Sequence, residues 1–337
     1  MDGEHIFELV PLQGPPQGNG LSATEVLNYP AARLFVERAA AAGHRADITD
    51  DDAVVLAEIC GKLDGIALAI ELAAARVGAH GLQEIAALLE GRLKLEWRGR
   101  RTAPPRQQTL GATLDWSYGL IGERERIVLQ RLAVFAGLFT LQGAAAVAGE
   151  EGQPADRTVE SLEQLVSKSL VSARQEGNST RYRLLDTTRA YAMQKLASGG
   201  EAKKIPRRHV EYVQQVLETT PPGSTGDSQA SRSQERVGLL ADARAALAWA
   251  FANDDGADLR VPLAGACASL FVELNLLNEG RLWSSRALTM LDDTNLGSTW
   301  ELELQSALGH AFMFTESNTD QAEGALRRGL ELSLIHI

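Results

Sequence analysis

A chain of 337 residues that is 45% hydrophobic but only 5% aromatic draws its apolar content mostly from Ala, Leu and Val, which suits close helix packing and disfavours a large sheet. Its formal net charge of −11 argues against a general polyanion binder, because phosphate neutralisation needs clustered Lys and Arg. Cys60 and Cys267 lie far apart in apolar surroundings, the histidines never fall at ligand spacing, and HExxH, GxSxG and the P-loop pattern are absent, so disulfide, metalloenzyme and hydrolase chemistry are not signalled and a reducing, cytoplasmic setting is expected.

Met1 is followed by acidic residues and no apolar h-region, so no signal peptide is expected. Residues 4-EHIFELVPL-12 read as a short strand, followed by the Pro/Gly-rich connector GPPQGNG. A lone strand is not stable, and 1–20 is therefore expected to be the last strand and connector of a domain that is otherwise missing. From Ala23 the pattern becomes helical. Leu34, Phe35, Arg38 and Ala39 fall at helical spacing, and 49-TDDDAVVLAEICGKL-63 opens on Thr49 before an acidic first turn, with Leu56, Ile59, Cys60 and Leu63 as its apolar stripe. The stretch 63-LDGIALAIELAAAR-76 carries only Asp64 and Glu71 as charges before Arg76, so other protein must cover it. With 82-LQEIAALLEGRL-93 it completes an expected four-helix bundle over 21–97.

The basic connector 98-RGRRTAPPRQQ-108 leads to a second pattern. TLGATLDWSYGLI, ERERIVLQRLAVF, TLQGAAAVAG and 158-TVESLEQLVSKSL-170 give four short helices, and LVSAR and RYRLL give two strands joined by QEGNST. Ending in 186-DTTRAYAMQKLA-197, this is the layout of a winged helix over 106–198, with Trp116, Leu129, Leu132 and Phe135 expected in its core. Residues 132–149 carry no charge and reach the lower edge of a membrane-spanning length. Gly137, Gly143 and Gly149 interrupt that run and Thr140 is placed as an N-cap, so two buried helices joined by a turn are expected, with no membrane partner.

After Gly200 the chain reads as helical again, apart from 219-TTPPGSTGDSQASRS-233. LNEGRLWSSRALTML resembles NTDQAEGALRRGLEL at an offset of 42, with Arg286-Ala287-Leu288 set against Arg328-Gly329-Leu330. A repeat of roughly 40 residues, each a helical hairpin, predicts an α-solenoid of tetratricopeptide type over 205–331. From Ser231 onward there are 8 basic and 15 acidic residues, a solvated acidic surface. The tail 332-LSLIHI-337 breaks the Ala/Leu/Arg pattern and reads as translated sequencing adapter, so it is expected to be non-native. The predicted fold class is thus mainly α: four-helix bundle, winged helix with a two-stranded wing, then tetratricopeptide-like helical hairpins.

The blocks TLGATLDWSYGLIGERERIVLQRLAVFAGLFTL, RYRLLDTTRAYAMQKL and RRHVEYV, in this order, resemble the NB-ARC (STAND) signal-transduction ATPases of bacterial LuxR-type and antibiotic-regulatory transcriptional regulators, over roughly residues 4–215. In that family a P-loop domain precedes a bundle, a winged helix and a superhelical sensor. The resemblance implies that a Gly-x-Pro turn begins the helix leaning on the adenine. Here Gly65, Ile66, Ala67 and Leu68 would form that adenine side, with Ala67 where proline is usual. Many relatives carry histidine before an Asp in the strand-to-helix turn of the winged helix, and the pair here is Leu185-Asp186. Leucine cannot donate to a phosphate, so sensing by this residue is not expected; Asp186 and Arg189 are the switch contact the resemblance implies, with Asp186 read first as the cap of the following helix.

The lysine, Ser/Thr and acid that hold Mg²⁺ and phosphates in the family would lie upstream of Met1. The resemblance therefore implies ATP or ADP with Mg²⁺ in a full-length parent, no cofactor for this chain alone, no catalytic or metal-binding residue within it, and no ATPase activity. The implied partners are an upstream nucleotide-binding domain and an unknown signal on the helical array, without direct nucleic-acid contact. The expected function is the regulatory part of a nucleotide-dependent switch controlling transcription. Two alternatives stand beside it. One is a DNA-binding winged-helix repressor reading with 156-DRTVESLEQLVSK-168, whose three acids against two bases give −1; the other is a nucleotide-independent helical scaffold.

Overall fold

Ser22 opens the helical part of the chain with a reciprocal cap: its hydroxyl accepts from the Glu25 N–H while the Glu25 carboxylate takes the Ser22 N–H. The computed structural model describes residues 11–16, 21–41, 48–91, 110–150, 152–176, 179–219, 236–315 and 319–336. The expected strand at 4–12 and the basic connector at 98–108 lie mostly or wholly outside these residues, and residues 11–16 carry no regular structure. The chain divides into two compact units. The first runs up to Gln130 and includes Leu184–Lys195; the second comprises Arg131–Arg183 and Leu196 onward.

In the first unit the short α1 (Ala23–Val26) leads to α2 (Pro30–Ala41), where Pro30 takes the first helical position at which its missing N–H costs nothing. Thr49 and Asp52 form a second capping box before α3 (Asp50–Lys62), and the Asp50-Asp51-Asp52 run lies at the positive end of its dipole. Then come α4 (Ala67–Ala74), α5 (Val77–His80) and α6 (Leu82–Gly91). The α3 stripe Leu56, Ile59, Cys60 and Leu63 is buried as its spacing predicts, and α4 buries Ala69, Ile70, Leu72, Ala73 and Ala74 in the same core as Phe35 and Ile85. Packing along α2, within this shared core, is what covers the apolar stretch that begins at Leu63.

Helices α7 (Leu110–Gly119), α8 (Glu123–Leu132), α9 (Leu141–Ala148) and α10 (Asp156–Ser167) precede an antiparallel hairpin of β1 (Ser172–Glu176) and β2 (Ser179–Arg183), then α11 (Asp186–Ser198). This mainly helical order with one two-stranded wing is the fold class the sequence predicts. The uncharged run at 132–149 turns at 133–139 and restarts at Thr140, whose hydroxyl accepts from the Gly143 N–H at 3.0 Å. No helix among the described residues is long and apolar enough to cross a membrane. Leu129, Leu132 and Phe135 are all buried; the Trp116 side chain lies outside the described residues. Phe135 stacks on Phe139 at 4.7 Å and meets the His209 and Tyr212 rings edge-on.

Each strand starts and ends two residues from the expected place. Ser169 adopts a left-handed backbone (φ 57°) that ends α10, and the Leu170 N–H returns to the Leu165 carbonyl, which delays β1 to Ser172. At the far end Leu184 is buried beyond β2 and α11 begins at Asp186.

In the second unit α12 (Lys204–Thr219), α13 (Leu240–Ala252), a 3-10 turn (Asp254–Leu259), α14 (Arg260–Glu273), α15 (Leu277–Leu288), α16 (Thr299–Thr315) and α17 (Thr319–His336) follow. Consecutive helices pack as hairpins, and α14 also packs against α16. A Cβ on Gly265 would lie 2.9 Å from the Trp300 Cα, so the α14 and α16 backbones meet closely there. The similar segments at 277 and 319 fall on α15 and α17, each the second helix of a hairpin. Residues 332–336 continue α17, with Leu332 buried and Leu334 and Ile335 exposed.

Candidate functional site at the turn between α3 and α4

Leu63 closes α3, and the chain then places two successive residues in the left-handed region, Asp64 (φ 53°) and Gly65 (φ 67°), before α4 starts. Only glycine takes the second position. A Cβ on Gly65 would stand 2.1 Å from the Leu12 carbonyl oxygen, and the Leu12 N–H donates to the Gly65 carbonyl at 2.9 Å. The Gln13 carbonyl in turn accepts from the Ala31 N–H at 3.2 Å. The close approach that Gly65 permits is thus made by the chain's own backbone.

Ile66 precedes α4 without a side-chain cap, Ala67 is its exposed first residue, and Leu68 is half-buried. The first helical position is one that proline fits, so Ala67 gives up a preset φ without losing a needed hydrogen bond. Ile66 and Leu68 are partly buried and pack against the core of the first unit. Among the described residues no three His, Cys, Asp or Glu residues cluster as a metal site would require.

The turn reaches α11. The Asp64 Oδ2 accepts the Thr187 N–H at 3.3 Å, joining residues 123 apart. Thr187 is fully buried and its Oγ1 has no hydrogen-bond partner. Asp186 is the first residue of α11 and Arg189 lies one turn on, its N–H bonded to the Leu185 carbonyl at 2.7 Å. The residues expected to face a base and those expected to act as a switch are therefore brought together, through Asp64, a residue the sequence reading did not select. Leu185, whose carbonyl accepts the first helical bond from Arg189, holds the cap position, so the expectation that Asp186 caps the helix is corrected: Asp186 stands one residue inside it, and the Asp64 carboxylate takes a first-turn N–H.

Farther along α11 the Tyr191 hydroxyl donates to Asp115 Oδ1 at 2.5 Å, and Lys195 pairs with the same carboxylate at 3.2 Å. The Tyr191 bond is the main cause holding the Asp115 carboxyl below its usual range, while burial pushes the Tyr191 phenol up. Lys195 lies 4.9 Å from the Tyr191 ring centroid, and Tyr118 meets that ring edge-on at 5.6 Å. These contacts fix α11 to α7.

In the second unit Arg131 grips Glu201 through two bonds of 2.7 Å and donates to the Ala148 carbonyl, and this pairing holds the Glu201 carboxyl low. Asp242, buried, accepts the Ala136 N–H at 2.7 Å and meets His209 at 3.2 Å. On α10, Thr158, Ser161, Leu162 and Leu165 are buried, and Asp156, Arg157, Glu160, Glu163, Gln164 and Lys168 are exposed. The wing differs in sign: Arg174 sits directly opposite Arg181, and Arg183 opposite Ser172, against one acid, Glu176.

Residues 122–197 match the family described as a winged helix-turn-helix domain. That segment has the winged helix-turn-helix fold. Residues similar to this chain also occur in a protein of Mycobacterium tuberculosis (strain H37Rv) named "putative HTH-type transcriptional regulator", 37% identical over 260 residues, which are 77% of this chain and 29% of that protein. The Mycobacterium bovis protein of the same description matches to the same extent. An uncharacterized protein of M. tuberculosis is 40% identical over 201 residues, 59% of this chain and 51% of its own length. The chain thus spans between about a third and a half of the length of these relatives. The winged helix-turn-helix match corrects the expectation that nucleic acid is excluded, since DNA contact is what such a domain suits.

Proposed function

We propose that the chain is the control portion of a transcriptional regulator. In this reading ATP or ADP, held by a preceding nucleotide-binding domain, sets whether the bundle stays engaged with the last helix of the winged helix, and the helical array receives the signal. The observation that carries it is the Asp64 to Thr187 contact, which joins the turn carrying Gly65, Ile66, Ala67 and Leu68 to the helix carrying Asp186 and Arg189. The similarity to proteins named as transcriptional regulators supports the output. In this reading the phosphate-binding groups belong to the preceding domain, so this chain alone should bind nucleotide weakly and hydrolyse none. Calorimetry with ATP·Mg and ADP, on this chain and on a form extended upstream, tests the reading. Micromolar binding by this chain alone would misplace the site, and no binding by the extended form would remove nucleotide from the account.

A second reading, direct DNA binding, is favoured by the wing, where three arginines against Glu176 give +2. The exposed acids of α10 would repel phosphates, so the wing rather than α10 would lead the contact. A gel shift at low salt with random duplex decides. Binding that Arg174→Ala weakens would place DNA first, and no shift would leave the control reading in place.

A further inference from the structure

Asp64 occupies the left-handed backbone region at φ 53°, which costs any L-residue some strain although Asp and Asn enter it more readily than most. A glycine would remove that strain, as Gly65 does one residue later, yet a carboxylate stands there. It is used at a place where an anion is favoured. The first N–H groups of a helix lack partners within it, and the dipole adds positive character at that end. Asp64 Oδ2 takes the Thr187 N–H at 3.3 Å, and the buried Thr187 Oγ1 beside it still lacks a partner, so this helix start retains an unused donor.

We infer that Asp64 is a positioning residue, a latch whose carboxylate holds the first turn of α11 against the turn between α3 and α4, in the position a free anion would otherwise fill. The turn is fixed from its other side by Leu12, whose backbone lies on Gly65. Because both contacts act on adjacent residues, a displacement of residues 11–13 must move Gly65 and with it Asp64, and loosen α11. The latch deepens the control reading by naming the contact that transmits it, and it operates without nucleotide.

Hydrogen exchange on the whole chain, without nucleotide, tests the latch through the peptide covering 185–191. Asp64→Gly removes the acceptor and relaxes the left-handed residue together. The first-turn amides of α11 should exchange about 2- to 30-fold faster, the range that loss of a helix cap implies, while the peptides of α3 and α4 keep parental rates. Asp64→Asn, which keeps an oxygen acceptor without charge, should fall between parent and Asp64→Gly and gives the same readout should the glycine variant unfold. Sodium acetate should slow the α11 amides of Asp64→Gly toward the parental rate, and sodium chloride at equal ionic strength should not. Parental exchange in both variants, or equal rescue by chloride, would overturn the latch. Neither result bears on nucleotide, which the calorimetry decides separately.

Discussion

Replacing Gly65 with alanine separates a glycine needed by the fold from one needed by a ligand. At φ 67° an L-residue incurs about 1–2 kcal/mol of left-handed strain. The added Cβ would also stand 2.1 Å from the Leu12 oxygen and 3.1 Å from the Leu12 carbon and nitrogen. These are backbone atoms, so relief requires the 11–13 segment to move, and forced overpacking of this kind costs about 1–3 kcal/mol. The expected loss is about 2–5 kcal/mol, or roughly 4–20 °C in the melting temperature of a unit of this size. Gly81 is the control. It too has positive φ, at φ 74° and ψ 166°, a region open essentially to glycine alone, and a Cβ there would meet nothing within 4 Å, so Gly81→Ala should show backbone strain without a neighbour's contact. Scanning calorimetry without nucleotide is the assay, and where the two compact units give separate transitions the first unit's is the one to compare. A Gly65→Ala loss under about 2 kcal/mol, the range of left-handed strain by itself, would show that Leu12 does not sit on Gly65.

Phe135→Ala, which empties a buried position stacked on Phe139, should destabilise the second unit by about 3–5 kcal/mol in denaturant titration; a melt within a degree of the parent would refute the core assignment. Arg131→Ala leaves Glu201 and the Ala148 carbonyl without their shared partner and, with Glu201 partly solvated, should cost about 1–3 kcal/mol by the same measurement. The Glu201 carboxyl is depressed, first by the Arg131 bond, so its contribution is complete above its ordinary value of 4.5 and lost as pH falls through the folded value. An acid titration of Arg131→Ala should lack that component, and parallel profiles in variant and parent would contradict it. The Cys60 and Cys267 thiols are pushed up to about 12 by burial, so a thiol reagent at pH 8 should label neither before unfolding, and fast labelling of the native chain would show them accessible.

The elements readable in the sequence are those whose signals are local. The α3 stripe needs only the spacing of Leu56, Ile59, Cys60 and Leu63, and Thr49 and Thr140 cap helices within three residues of themselves. The wing shows where local reading stops. Apolar Leu170 and Val171 look like the start of a strand, but the left-handed Ser169 sends the Leu170 and Val171 N–H groups back to the Leu165 carbonyl. Leu184 and Leu185 look like its partner's end, yet the Leu185 carbonyl already accepts the first helical bond of α11, from Arg189. Apolar residues at a boundary serve strand or helix equally well, and the hydrogen bond that decides between them is invisible to hydropathy.

The candidate site was legible only where a residue's own chemistry demanded it. Gly65 announces a backbone that L-residues avoid, but what approaches it, Leu12, closes a stretch that reads as a strand and lies in 11–16, which carry no regular structure. Asp64 carries no signal of its own, because Asp-Gly reads as an ordinary turn and the N–H it accepts is supplied by Thr187, far along the chain. Its role follows only when the fold sets a buried helix start beside a strained carboxylate. The two adjacent residues then divide the work: Gly65→Ala should disturb the seat of 11–13 and α11 with it, whereas Asp64→Gly should free α11 and leave that seat intact. Exchange at Ala31, whose N–H bonds to Gln13, distinguishes the two, since it should rise in the first variant and stay parental in the second.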